Sequence, residues 1–241
     1  MRPFCFLTTL VLSLAAVGAT AMEPQRFTSG EARVSLIELY SSEGCSSCPP
    51  AERWLGALRN DPGLWKDFVP VAFHVDYWNG LGWPDRFSTR EFTQRQYAHA
   101  AAWGTGSVYT PCFVRDGAEW RPADRPAGAG RGAGILTASY DGATLRAKFF
   151  SASNVGDATN YEIHAAVLGA GIASKVTAGE NSGETLRHEF VALALVSGPL
   201  GGDLALAVPV VAGVQRHALA LWVTRRDELT PIQATGGWLA P

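Results

Sequence analysis

Two cysteines three residues apart, Cys45-Ser46-Ser47-Cys48, stand between an apolar run and a pair of prolines. The run before them, Arg33-Val34-Ser35-Leu36-Ile37-Glu38-Leu39-Tyr40, is rich in strand formers. The segment from Pro49 to Leu58 reads as a helix, with Trp54, Leu55 and Leu58 on one face. Proline is tolerated in a first helical turn because the N–H it lacks would have no intrahelical partner there. Cys45 is therefore expected just outside a helix N-terminus, where orphan N–H groups and the macrodipole favour thiolate over thiol. A redox-active dithiol needs such an environment.

Residues 1–21 carry the pattern of a secretory signal peptide: Arg2, an apolar stretch from Phe4 to Val17, then Ala19-Thr20-Ala21 as an A-x-A cleavage signal. The stretch is short for a membrane span, and no later segment reaches roughly 18 uninterrupted apolar residues. The expectation is a secreted or periplasmic protein with no membrane span after cleavage. Cys5 leaves with the signal, so Cys45, Cys48 and Cys112 remain. Arg2 is the only charge lost, which takes the formal net charge from −2 to −3. No basic patch emerges, and nucleic acid is not an expected partner.

The chain changes character at residues 121–134, where Pro, Gly and Ala dominate and no side-chain face can be buried. Two domains are expected, at 28–125 and 135–241. The first orders as strand (33–40), CxxC, helix (49–60) and strand (68–75), then an aromatic loop. A helix follows from a Ser88/Glu91 capping box to about Trp103, and a hairpin begins at Cys112. This is the thioredoxin-like α/β order, in which a cis-proline precedes the hairpin and faces the CxxC. Thr110-Pro111 stands at that place, and X-Pro bonds are where the cis form costs little. Past residue 135 the pattern alternates with period two. Strands are expected around 145–149, 161–167, 186–195, 203–210 and 217–224, as in a small antiparallel sandwich.

Five segments resemble those of the secreted proteins of unknown function grouped as DUF1223. They are Glu38–Ala51, His74–Trp78, Phe92–Gln96, Val108–Pro111 and Gly179–Gly183. The resemblance implies a thioredoxin-like fold with an added β domain, and it implies no settled activity. Cys112 stands where the family pattern leads one to expect a polar residue such as Gln.

The expected chemistry is thiol–disulfide exchange with protein thiols and disulfides. Cys45 would attack, Cys48 would resolve the mixed disulfide, and Pro111 would shape the groove. Glu38 is the candidate buried acid that moves the proton of the second thiol. It precedes Cys45 by seven residues, one more than the thioredoxin spacing, and the competing expectation is a strand carboxylate facing solvent or Arg33. Two other readings stay open: a fixed structural disulfide in an interaction protein, or a copper carrier using the two thiolates and His74. The His74-x-Asp76 pair also fits a strand-end polar pair bonded to the following loop. Trp78 and Trp83 suit either a groove or a core, Glu43 reads as a loop charge, and Cys112 as a small buried hydrophobe. His99, His164, His188 and His217 show no spacing that suggests a cluster. No P-loop, dinucleotide fingerprint or nucleophile triad is present, and neither a cofactor nor a bound metal is expected.

Overall fold

The computed structural model describes residues 23–122, 126, 130, 132–152 and 160–240. The signal-like residues 1–21 lie outside that set, as do several positions of the Pro/Gly/Ala segment. Among the described residues there are fourteen strands and two α-helices. In chain order they are β1 (Gln25–Thr28), β2 (Ser35–Ser41), α1 (Pro49–Ala57), β3 (Phe68–His74), α2 (Arg90–Ala102), β4 (Cys112–Arg115) and β5 (Ala118–Trp120). Then come β6 (Gly134–Tyr140), β7 (Thr144–Ser151), β8 (Tyr161–Ala170), β9 (Ile172–Lys175), β10 (Thr185–His188), β11 (Val191–Pro199), β12 (Asp203–Ala205), β13 (Arg216–Arg225) and β14 (Gln233–Trp238).

These strands correct the expected fold class. The fold is β-rich, not a thioredoxin-like α/β unit. An eight-stranded sheet runs β14-β13-β8-β11-β3-β2-β4-β5, so strands from both halves share one hydrogen-bonded layer. The junction is a short parallel contact of β11 with β3, Val191 opposite Ala72, where the Ala72 N–H donates to the Phe190 carbonyl at 2.8 Å. Local order in sequence does not show what fills the second edge of β3. Its residues, like those of β2, are buried throughout, as in strands covered on both faces. Pro70, which has no N–H to donate, lies outside the registered β3–β11 pair.

The two helices cover opposite faces of the sheet. Trp54 of α1 meets Phe113 edge-on at 5.2 Å, and Phe92 of α2 meets Phe73 at 5.1 Å. Phe113 is registered with Leu39 and Phe73 with Tyr40, and neighbouring strand residues point to opposite faces. Farther along the sheet, Ile163, Ala165 and Val167 of β8 and Leu219 and Leu221 of β13 pack on a second sheet, β1-β6-β7-β12, through Leu136, Ala138, Tyr140, Leu145 and Ala147. The alternate residues Ala166, Leu168, Ala218, Ala220 and Trp222 join the core of the first half.

Some boundaries differ from expectation. Helix α2 is capped by Thr89, whose hydroxyl accepts from the Phe92 N–H, instead of by Ser88. The run expected as one strand at 186–195 breaks at Phe190, which has φ 58°. That bend separates β10 from β11. Strand β10 pairs with β9 in a separate hairpin, while β11 enters the large sheet.

Leu219→Ala should lower stability by about 2–5 kcal/mol, the range for truncating a fully buried leucine. Because one sheet carries both halves, labelling of the buried Cys112 in β4 should rise at the same urea concentration as the loss of circular dichroism. Mass spectrometry of the labelled peptide checks this.

Candidate functional site

Cys45 and Cys48 form a disulfide. Cys48 is the N-cap residue of α1, and Pro49 and Pro50 take the first two helical positions. Their effect differs from the expected field of orphan donors. Neither proline has an N–H, and the Ala51 and Glu52 N–H groups donate to the Cys48 carbonyl at 2.9 and 3.1 Å. The Cys48 N–H donates to the Cys45 carbonyl at 3.2 Å. The free donors a helix start usually presents are absent or used here. Near Cys45 Sγ the polar neighbour is Ser47 Oγ, at 3.3 Å.

Both cysteines are closed off, with 0% and 1% of their surface exposed. The cover comes from the second half of the chain. The β9–β10 hairpin tip turns through Gly179 (φ 73°) and Gly183 (φ 90°) and lies across the CxxC segment. Asn181 Nδ2 donates to the Glu43 and Cys45 carbonyls at 2.8 and 3.0 Å. The Glu180 carboxylate accepts from the Ser46 N–H at 3.1 Å and the Ser46 hydroxyl at 2.7 Å. On another side, the Thr110–Pro111 peptide is cis, and Trp78 Nε1 donates to Thr110 Oγ1 at 2.8 Å. A cavity of about 420 Å³ opens beside the disulfide, lined by Cys48, Glu52, Asn181 and His188 among others.

Behind the disulfide lies a buried ionic cluster that the spacing of histidines did not reveal. His74 Nδ1 is 2.6 Å from Asp85 Oδ2, and His74 Nε2 is 3.3 Å from Glu52 Oε1. His188 Nε2 is 3.1 Å from Glu43 Oε1, and His188 Nδ1 is 3.4 Å from Glu52 Oε2. Trp83 Nε1 donates to Glu43 Oε2 at 2.8 Å. Glu43 is thus a buried member of the cluster, not a loop charge. Burial opposes charge on every member. The imidazoles nevertheless hold the Glu43, Glu52 and Asp85 carboxyls below their usual range, and the carboxylates hold His74 and His188 above theirs. The His74-x-Asp76 pair separates: Asp76 accepts from Thr93 Oγ1 at 2.6 Å instead.

Glu38 sits elsewhere. It shares the Tyr40 face, under α2, whereas the CxxC leads into α1 on the other face. Arg95 Nε and Nη2 donate to its two oxygens at 2.7 and 2.9 Å, and the Tyr40 hydroxyl donates at 2.8 Å. His99 Nε2 is 3.4 Å away. Burial works against this carboxylate, but Arg95 and His99 hold it well below the usual range. Cys112 is buried on the same face, and burial pushes its thiol up to about 11. Arg95 also lies 5.2 Å over the Trp222 ring, on which His164 stacks at 5.3 Å.

The class so defined is a β-rich protein whose disulfide caps a helix and lies under a hairpin strap. The chain belongs to the family described as protein of unknown function DUF1223, whose model matches residues 36–224. No curated protein matches the sequence. Two solved structures share the fold. Protein AGR_C_4864 from Agrobacterium tumefaciens has 23% identity and a TM-score of 0.52, covering 87% of this chain and 95% of that one. HBP35 of Porphyromonas gingivalis has 14% identity and a TM-score of 0.55, covering 88% and 76%. Among the described residues no helix is long and apolar enough to cross a membrane.

Two predictions follow from these contacts. Asn181→Ala removes two buried donations worth about 1–3 kcal/mol together, so reduction of the disulfide by a small phosphine should speed up about tenfold or more in a stopped-flow assay. The second concerns acid. Burial, then Arg95, lowers the His164 pKa from 6.5 to about 4. Between those values the unfolded chain takes up a proton that the folded one refuses, so stability falls as pH drops through that window. His164→Gln should flatten the loss there, measured by urea unfolding across pH. Below it, protonation of Glu38 still removes stability, because its folded pKa is depressed.

Proposed function

We propose that the Cys45–Cys48 couple performs thiol–disulfide exchange with protein partners in an extracytoplasmic compartment, secreted or periplasmic, and works as a reductant. The observation that carries the reading is a disulfide in the cap of α1 beside a cavity, under a strap held by side-chain hydrogen bonds. The signal-like residues 1–21 and an oxidised cysteine pair support the compartment. The direction follows from charge. A potential rises when the reduced thiolate form is stabilised. Here the helix end offers no free donors, Glu43, Glu52 and Glu180 lie around the pair, and the His74 and His188 imidazoles are engaged by Glu43, Glu52 and Asp85, so a thiolate gains little and the disulfide is the preferred state.

In the exchange, the thiolate of Cys45 attacks a partner disulfide and releases one partner sulfur as thiolate. The Cys48 thiolate then attacks the Cys45 sulfur and releases the second. The partner gains two electrons and the couple returns to its disulfide, to be reduced again by a thiol reductant of the same compartment. Cys45 is assigned the first attack because the strap residues bond to Cys45 and Ser46, so opening the strap uncovers that end. Pro111 follows Thr110, whose carbonyl accepts from the Ser47 hydroxyl at 3.5 Å, and so lies close to the CxxC loop. Glu38 takes no part in this scheme, since its carboxylate is committed to Arg95 on the other face. The burial of both sulfurs favours a second reading, a closed structural disulfide.

Two measurements separate them. The couple should have a reduction potential near the about −270 mV of a strong dithiol reductant, and a value above about −200 mV would overturn the direction. The Cys48→Ser variant should trap mixed disulfides in cell envelopes while Cys45→Ser traps none. Absence of adducts with Cys48→Ser establishes the structural reading instead.

A further inference from the structure

The buried cluster behind the disulfide contains a donor set that exchange chemistry does not use. Glu52 on α1, His74 at the end of β3 and His188 at the end of β10 bring one ligand atom each to within 4.8 Å of one another. All three side chains are buried. The His74 Nε2 and Glu52 Oε1 atoms are fully buried and make no hydrogen bond among the described residues, although they lie 3.3 Å apart. Buried polar atoms seldom go without a partner. Two such atoms, an ion-pair distance apart but without a hydrogen bond, are placed as neighbouring ligands of one ion would be.

The outer nitrogen of each ring is already held. His74 Nδ1 faces Asp85 Oδ2 at 2.6 Å, and His188 Nε2 faces Glu43 Oε1 at 3.1 Å. The two carboxylates are themselves fixed. Asp85 accepts from the Glu43 and Phe87 N–H groups at 2.8 and 2.9 Å, and Glu43 accepts from Trp83. When each outer nitrogen donates its proton to a carboxylate, the inner nitrogens, His74 Nε2 and His188 Nδ1, present lone pairs to Glu52. That carboxylate–imidazole arrangement is what orients and strengthens histidine ligands to a metal. The spacing agrees. Ligand atoms about 2.0–2.1 Å from a tetrahedral ion stand about 3.3 Å from each other; His74 Nε2 is 3.3 Å from Glu52 Oε1 and His188 Nδ1 is 3.4 Å from Glu52 Oε2, so the carboxylate spans the two imidazoles, and one ligand atom from each residue lies within 4.8 Å of the others.

We propose that Glu52, His74 and His188 bind a divalent first-row transition metal of the Zn2+ class, with a coordination position open to the cavity beside Cys48. Two imidazoles and one carboxylate suit such ions, whereas Ca2+ and Mg2+ prefer shells of oxygen. Glu52 and His188 line the cavity of about 420 Å³, which gives the ion an entry and room for a water or small anionic ligand. Neither Cys45 nor Cys48 belongs to the donor set, so this site differs from a thiolate copper centre. It also stands whether or not the disulfide exchanges.

The test uses the oxidised full-length protein freed of metal by chelation, so that Cys45 and Cys48 supply no thiolate. Calorimetric titration with Zn2+ should give one site per chain with micromolar affinity or tighter. Co2+ should give the visible bands of a four- or five-coordinate N/O site, without the intense near-ultraviolet band of thiolate ligation. His188→Asn and Glu52→Gln should each weaken Zn2+ binding at least tenfold, while Glu38→Gln on the opposite face leaves it unchanged. The proposal is overturned if folded wild-type protein takes up no Zn2+ at roughly 100 µM, a concentration that saturates ordinary protein zinc sites. In that case protons on the two imidazoles fill the gap. Unchanged affinity in folded His188→Asn and Glu52→Gln overturns it equally. Should both variants unfold, the wild-type Zn2+ and Co2+ measurements decide alone.

Discussion

The contact on which the rest of the site depends is the entry of His188 between Glu43 and Glu52. A buried carboxylate is costly unless it is paired, and here three of them, with Asp85, share the space behind one disulfide. His74 comes from the same half of the chain, but His188 does not. It arrives on the β9–β10 hairpin, and the same hairpin carries Glu180 and Asn181 over the CxxC. One insertion therefore satisfies the buried charge, walls the cavity and closes the cysteines. The sheet junction at Val191 and Ala72 sits just beyond His188, so the covalent path from strap to core is short.

Much of this was legible in the sequence where the signal is local. The strand before the cysteines, the proline-led helix, the burial of Cys112 and most strands of the second half follow from periodicity and residue type, whereas the cis bond at Pro111 was expected from the thioredoxin-like element order. What was not legible depends on distant pairing. The edge of β3 reads the same whether β11 joins it or not, so an α/β unit was expected where a continuous β sheet stands. His74 and His188 are far apart in sequence and on different elements, and no spacing rule connects them. The one usable hint was Gly179–Gly183, a segment matched to the family although far from the cysteines in the chain. Glu38 misled for a related reason: strand alternation places it on one of two faces, and only Arg95 on α2 shows which.

The two prolines after Cys48 show how a motif and its electrostatics can separate. A CxxC at a helix start suggests an acidic first thiol, because a helix start usually offers free N–H groups. Pro49 and Pro50 keep the geometry and remove the donors. Identical spacing can thus place two sulfurs in different electrostatic surroundings, according to the groups within a few ångströms.

The long reach of the strap also gives the cysteines a history. Asn181 lies 136 residues beyond the Cys45 carbonyl it holds. In a chain made from its N-terminus, both thiols emerge well before the amide that will cover them exists. Oxidation can then proceed on an open segment, whereas later reduction must wait for a finished hairpin to lift. Forming the bond and breaking it thus meet different obstacles, a difference that comes from the order of synthesis and not from the chemistry of sulfur.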